Sequence, residues 1–394
     1  MSNLGGKFAI IGVGEVPTGR FPEKAAIYHA IESARRAIED AGIKKEDIDF
    51  VMPTASLYSP AFNTELVTCR VIEELGLKNA KTNCQIFAGG SSGSCFLKLG
   101  GSLIVAGAAN CILCVHADRL GTGVTAQGGI DLFSTAGISP EWEVPYGQHY
   151  SSIAALATTR YQHETGCTDE ELAAVCVSNR KWAELNPNAR FRKPLTIDEV
   201  LTSKMLSTPL RAKESNMLFD GGSALILTSS DRAKDLCEKP VYFLGGGSRV
   251  THYVFSQEPD ITRYGWRGAA EDAFREAGLT PQDIDVAEIY DSYPIFQIIG
   301  FEEVGFCRRG EAGVMHLRGD TWPGGKIPTT TNGGMLSQGH TGAGGGVALL
   351  VEAARQLMGK AAERQVPGAR FALETGTGGT YMDAHVSILG TEIP

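Results

Sequence analysis

The chain has 394 residues, 43% hydrophobic and 21% charged, with a formal net charge of -9. That length suits two fused units around a large core, and the acidic balance argues against sequence-independent nucleic-acid binding, which needs a basic surface. Nine singly scattered cysteines are not a disulfide framework, no apolar run reaches the ~20 residues of a membrane-spanning helix, and no signal-peptide layout opens the chain. The expectation is a reduced, cytoplasmic protein.

In chain order, "FAIIGVGEVPTGRF" reads as a strand. "AAIYHAIESARRAIEDAGIKKEDIDFVMPTA" then reads as an amphipathic helix ending at Gly42, an Asp-Ile-Asp turn and a second strand. "CQIFAGGSSGSCFLKLGGSLIVAGAANCILCVHA" is strand, glycine turn, helix, strand. The pattern breaks over 119–215. There "GTGVTAQGGIDLFSTAGISPEWEVPYGQ" is loop-like and "SSIAALATTRYQHETG" is helical. "TDEELAAVCVSNRKWAEL" is a helix with Thr168 as cap and Glu171 closing a capping box. After the strand "FDGGSALILTSS" the opening pattern returns as "VYFLGGGSRVTHYVF" and "RGAAEDAFREAGLTPQDIDVAEIYDSY". Ala34 and Ala37 repeat as Ala270 and Ala273 at one offset, and Asp47-Ile48-Asp49 repeats as Asp283-Ile284-Asp285 at the same offset. "PTTTNGGMLSQGHTGAGGGVALLVEAARQLMG" and "RFALETGTGGTYMDAHVSILG" continue the echo with glycine turns, a helix and strands. The physical reading is a duplicated α/β unit whose halves cover each other's apolar sheet faces. The halves are 1–118 with 216–238, and 239–394, and 119–215 is an insertion covering one face.

The arrangement resembles the thiolase superfamily, and within it the sterol-carrier-protein-type thiolases and their lipid-transfer-like relatives. "SNRKWAELNPNARFRKPLTIDEVLTSKMLSTPLR", "FDGGSALILTSSDRAK", "NGGMLSQGHTGAGGG" and "EIYDSYPIFQIIGFEEVGFCRRGEA" carry that resemblance in family order across nearly the whole chain. It implies a five-layer αβαβα fold with two mixed five-stranded sheets and an inserted loop domain that binds coenzyme A. It also implies dimerisation through the first half and a small zinc-binding OB-fold partner subunit. Coenzyme A enters as substrate; no covalently bound cofactor is expected, and the sequence has no metal-ligand cluster.

Thiolases place a nucleophilic cysteine at the start of the helix after the strand that here reads "CQIF", where a helix N-terminus lowers a thiol pKa. Counting back from Ala106-Gly107 puts Gly90 at that position, and no cysteine follows Cys307 for the family's second thiol. Cys84 and Cys95 flank the glycine turn. Burial as small hydrophobes is the plainer reading of both, and Cys84, at a strand end, precedes Cys95 as a reactive thiol. Cys111 and Cys114 lie on a strand, facing opposite ways. His340, between glycines, matches the thiolase histidine that works at the thioester oxygen or the nucleophile. Tyr290 stands where thiolases carry asparagine or histidine and where lipid-transfer-like aldolases carry tyrosine; with a depressed pKa it can serve as acid or base. The aldolases have a second tyrosine at the His340 position. Gly378 and Gly379 offer backbone donors to a carbonyl oxygen. Asn332, Ser92, Tyr146 and His149 are the candidate substrate-binding residues: Asn332 either holds the His340 loop in shape or simply forms its turn, Ser92 opens the helix beside Gly90, and Tyr146 and His149 belong to a cover over the acyl end. His116 and His385 read as structural.

Acyl transfer of the thiolase type is the expected reaction: a β-oxoacyl-CoA and CoA give two acyl-CoAs, on a bulky or aromatic acyl group in a degradation pathway. Cys84 supplies the thiol or CoA attacks directly. The alternative is retro-aldol cleavage of a β-hydroxyacyl-CoA, with Tyr290 taking the hydroxyl proton. A non-catalytic lipid-CoA carrier is the third reading.

Overall fold

The computed structural model describes residues 3–54, 67–80, 82–122, 124–125, 127–129 and 137–394. Its strands are β1 (Phe8–Glu15), β2 (Phe50–Pro53), β3 (Thr82–Asn83), β4 (Cys111–Arg119), β5 (Met205–Ser207), β6 (Leu210–Arg211), β7 (Asp220–Ser229), β8 (Val241–Val250), β9 (Val286–Glu288), β10 (Phe371–Gly376) and β11 (Asp383–Gly390). The first half forms the mixed five-stranded order β3-β2-β4-β7-β1, and the second continues as β8-β11-β10-β9. The two sheets join through a short antiparallel contact, Ala9 with Tyr242 and Ile10 with Val241. Beside β9, where the resemblance implies a fifth strand, Thr329 makes a single parallel bridge to Ala287.

Side-chain alternation on β1 divides the core. Phe8 and Ile10 face an inner layer with Phe96, Leu97, Val347 and Leu350. Those residues belong to two central helices, α3 (Ser92–Val105) and α12 (Gly345–Leu357). Ala9 and Ile11 face the outer side with Ala30, Ala34 and Ala37 of α1 (Ala26–Ala41). The repeat has its counterpart helix in α8 (Trp266–Ala277), which lies on β8 and β11. Thus layers run helix, sheet, helix, sheet, helix. Between these four, α2 (Val67–Leu75), α4 (Tyr150–Thr165), α5 (Asp169–Glu184), α6 (Ile197–Leu201) and α7 (Ser230–Leu236) follow α1 or α3 in chain order; α9 (Pro294–Glu303), α10 (Ala312–Arg318) and α11 (Gly334–Ser337) lead to α12.

The duplicated sequence has a physical cause at matching places. A Cβ on Gly12 would lie 2.5 Å from the Ala37 carbonyl, and one on Gly14 would meet Ser33; Gly245 and Gly247 would likewise strike Ala273 and Ala269. The strand glycines and helix alanines bring each outer helix down onto its sheet. Both helices end in a left-handed glycine, Gly42 at φ 66° and Gly278 at φ 68°. Asp49 then accepts the amides of Asn110 and Cys111, as Asp285 accepts those of Arg370 and Phe371. Each aspartate ties the turn after its helix to a strand of the same sheet.

The inserted helices form as read. Thr168 accepts the Glu171 amide and Glu171 returns to the Thr168 amide at the start of α5. Cys111 faces the outer core and Cys114 the inner one, as the strand period requires.

Candidate active site

The glycine turns converge on a cavity of about 880 Å³. Gly89, Gly90, Tyr290, His340, Gly378 and Gly379 all line it. They come from four chain segments: the start of α3, the loop after β9, the loop before α12, and the β10–β11 turn.

Gly90 lies in the tight turn Gly89–Ser91 that leads into α3. A Cβ there would sit 2.5 Å from the Tyr290 hydroxyl oxygen and would strike the Thr377 carbonyl. The phenol therefore occupies the space that a thiol-bearing side chain at residue 90 would need. Tyr290 is fixed by its amide, which donates to Thr375 Oγ1 at 2.9 Å. Burial, then the nearby Asp291 and Asp383 charges, push its pKa up rather than down. The expected depressed phenol is corrected: Tyr290 is a neutral hydrogen-bond donor.

His340 comes from the second half but is pinned to the first. Its amide donates to the Met217 carbonyl at 3.0 Å, and its carbonyl accepts the Phe219 amide at 2.9 Å. Nδ1 meets Asn216 Oδ1 at 3.0 Å. The Asn216 amide nitrogen is committed to the Ser292 carbonyl at 2.8 Å. Oδ1 can only accept, so His340 carries its proton on Nδ1 and its acceptor lone pair on Nε2. Burial outweighs a backbone hydrogen bond at Gly342 and lowers the pKa to about 4, which keeps the ring neutral.

Beside Tyr290, the buried Asp291 accepts the amides of Met335 at 2.8 Å and Leu336 at 3.1 Å, at the first turn of α11. Asn179 donates to it at 2.7 Å. Burial raises its carboxyl to about 7 against those bonds. One carboxyl thus ties the Tyr290 loop to the His340 loop.

Several sequence candidates fall outside the lining. Cys84 follows β3 and packs against the inner core, and burial raises its thiol pKa. Cys95 is pushed up to about 11 by burial, then Asp383. None of the nine cysteines lines the cavity among the described residues. Ser92 is buried, with Oγ donating to the Gly89 carbonyl at 2.7 Å, so it shapes the turn. Asn332 is also buried; its Oδ1 accepts the Gly334 amide at 2.7 Å, on the loop leading to His340. Tyr146 is 87% exposed on a surface turn. His149 does line the cavity, and it caps α4. The Gly378 amide donates to Asp383 Oδ1 at 2.5 Å, so it is already engaged. His116 is buried behind the His340 loop, its Nε2 at 2.8 Å from the Thr341 carbonyl.

The sequence reading passed over a set of hydroxyls at the cavity wall. Ser151 Oγ meets the Tyr293 hydroxyl at 3.0 Å, and Ser292 Oγ meets that of Tyr381 at 2.5 Å. Tyr381 has φ 62°, rare for a bulky residue, and stacks on Phe296 at 3.5 Å between ring centroids. Tyr381 and Asp383 directly follow the glycines of "TGTGGTYMDAH", a placement that could have drawn attention to them. Asn216 carried no such local signal. Among the described residues no group of His, Cys, Asp and Glu could hold a metal ion, and no helix is long and apolar enough to cross a membrane.

Comparison with known proteins agrees with this geometry. Residues 247–391 match the thiolase C-terminal domain-like family model. An acetyl-CoA acetyltransferase of Methanothermobacter thermautotrophicus is 31% identical over 96% of this chain and 98% of its own length. A steroid side-chain-cleaving aldolase of Thermomonospora curvata is 29% identical over 96% of this chain and 97% of its own. Among solved structures, an Ltp2-ChsH2(DUF35) aldolase superposes with a TM-score of 0.85 at 26% identity, over 98% of both chains. The chain belongs to the thiolase superfamily and is a thiolase-like enzyme.

Proposed function

We propose that the chain is a lyase that splits a β-hydroxyacyl-CoA by retro-aldol cleavage. The observation that carries this reading is the exclusion at Gly90: Tyr290 fills the space of a nucleophilic side chain, and no thiol lines the cavity among the described residues. Retro-aldol chemistry needs no covalent nucleophile. It needs a group to take the β-hydroxyl proton and donors to hold the enolate oxygen. His340 Nε2 accepts the hydroxyl proton, with Asn216 holding the other ring nitrogen. The O–H electron pair becomes the new carbonyl bond as the Cα–Cβ bond breaks, and that bond's pair passes into the thioester as an enolate. The Tyr290 hydroxyl donates to the enolate oxygen. This exchanges the roles first expected for the two residues, because a neutral buried phenol donates and a neutral imidazole accepts.

Thiolase-type acyl transfer is the second reading, favoured by the 31% identity to a named acetyltransferase and by a histidine rather than a tyrosine at residue 340. On this geometry it would require direct attack by CoA. The cavity volume and its apolar wall, with Phe87, Leu120, Val124 and Leu218, support a bulky acyl group. We further infer a homodimer through the first half, coenzyme A lying against the 119–215 insertion, and a small zinc-binding OB-fold partner. The resemblance and the name of the superposed DUF35-containing aldolase support the partner.

The test incubates the chain, with and without that partner, with β-hydroxyacyl-CoA substrates. Release of ketone or aldehyde without a change in free thiol supports the lyase. Consumption of CoA thiol with a β-oxoacyl-CoA, and no cleavage of the hydroxy compound, would sink it. Binding without turnover of either would point to a carrier.

A further inference from the structure

The retro-aldol step leaves an enolate that must gain a proton at Cα, and neither His340 nor Tyr290 has been assigned that task. Among the described lining residues there is one carboxylate, Asp383, at the first position of β11. It is held firmly. Oδ1 accepts the Gly378 amide at 2.5 Å and the Ser91 hydroxyl at 2.9 Å. Oδ2 faces His385 Nε2 at 3.4 Å. Gly378 belongs to the turn beside Gly90, and Ser91 directly follows Gly90, so both halves of the molecule aim this carboxylate at the same corner. Its charge is felt by Tyr290.

We propose that Asp383 is the acid–base group at the thioester α-carbon, with His385 as its proton-sharing neighbour. In the cleavage direction the protonated carboxyl gives its Oδ2 proton to Cα. The enolate π pair forms the new C–H bond and the thioester carbonyl is restored. Water then returns a proton to Oδ2, with His385 Nε2 sharing it across 3.4 Å, while His340 releases the β-hydroxyl proton to water, so protons and charge balance over the cycle. In the reverse direction the carboxylate removes the Cα proton and the electron pair moves onto the thioester oxygen. Both hydrogen bonds to Oδ1 leave Oδ2 as the working atom, which is why the Gly378 amide serves to aim Asp383 rather than to hold the substrate oxygen. This deepens the lyase reading and rests on its enolate, yet it can be tested apart from carbon–carbon cleavage.

The experiment follows exchange of the α-protons of acetyl-CoA and propionyl-CoA in D2O, by NMR, with the full-length chain. Asp383→Asn keeps an acceptor for Gly378 and Ser91 but cannot carry the proton. The expected result is exchange by the wild type, a fall of ~100-fold or more in Asp383→Asn, and acyl-CoA binding unchanged within about twofold between the two. If Asp383→Asn does not fold, Asp383→Glu is read the same way, with a fall of about tenfold expected because the carboxylate is displaced. Exchange by Asp383→Asn at the wild-type rate, or no exchange by the wild type, overturns the assignment. Asp383-dependent exchange without cleavage of any β-hydroxyacyl-CoA upholds it and defeats the lyase reading instead.

Discussion

The glycine turns that open α3 and α12 are copies of one device placed in two chemical roles. Each begins with a left-handed glycine, Gly89 at φ 54° and Gly342 at φ 67°, passes through one tight turn and enters a central helix. The copies pack on each other. A Cβ on Gly346 would strike the Gly90 carbonyl, and one on Gly93 would lie 3.1 Å from the Gly346 carbonyl. Yet one turn presents Gly90 beneath a phenol, while the other is preceded by His340. The backbone symmetry supplies closeness. The chemistry comes from side chains that the duplication does not share: Tyr290, His340, Asn216 and Asp383.

The comparison breaks first if the phenol and the imidazole do not divide the work. His340→Asn is expected to lower kcat for hydroxyacyl-CoA cleavage by ~1000-fold, and Tyr290→Phe by ~100-fold, each with KM nearly unchanged. Steady-state assay of both variants decides this; a large rise in KM with kcat intact would assign them to binding instead. Gly90→Ala should fall in the same range, because the added methyl displaces the Tyr290 ring, and Gly90→Ala with Tyr290→Phe should be no worse than Gly90→Ala alone.

Removing the Asn216 side-chain acceptor is expected to cost about tenfold, since the imidazole then loses its fixed tautomer. The pH–rate profile of Asn216→Ala should change while its substrate affinity does not. On the other copy of the turn, Gly346→Ala should destabilise the fold by ~1–3 kcal/mol through backbone overpacking. Gly93→Ala should cost less, as its nearest neighbours stand at 3.1 Å and beyond. Denaturant unfolding of the two variants measures how unequal the copies are.

Near neutral pH the smallest effect is a pH slope, which grows only on acidification. The His340 imidazole has an ordinary pKa of 6.5 and is lowered to about 4 in the fold by burial. As pH falls below 6.5 the unfolded chain takes this proton first, so stability drops across the window from 6.5 to 4, and above 6.5 the group contributes nothing to the slope. His340→Asn should remove that part of the acid destabilisation, up to ~3 kcal/mol at the bottom of the window. Unfolding curves for both proteins at about pH 7 and about pH 4.5 provide the check.

Much of the fold was legible because it rests on local chemistry repeated twice. The Ala-Gly helix ends, the Asp-Ile-Asp turns and the Thr168 cap each act within a few residues, and each formed where the sequence placed it. The continuous sheet through β1 and β8, and the single bridge in place of a fifth strand, depend on register between distant segments and left no local mark. The candidate site divides the same way. His340, Tyr290 and the glycines stood out because glycine-rich context is visible in one dimension. Cys84 follows its plainer reading and packs against the inner core, so the thiol alternative at the strand end does not reach the cleft. Asn216 is placed by a contact across 124 residues of chain, which no window of sequence displays; Asp383 stands next to a visible glycine turn, but the Ser91 hydroxyl that aims it comes from 292 residues away.

The paired strand glycines have one more consequence. Gly12 with Gly14, and Gly245 with Gly247, set how deeply each outer helix settles, and the molecule performs that same trial in two places. A survey of tolerated substitutions should therefore return matching profiles from the two locations. Any mismatch would show where the surroundings of one helix yield to an added methyl and those of the other do not.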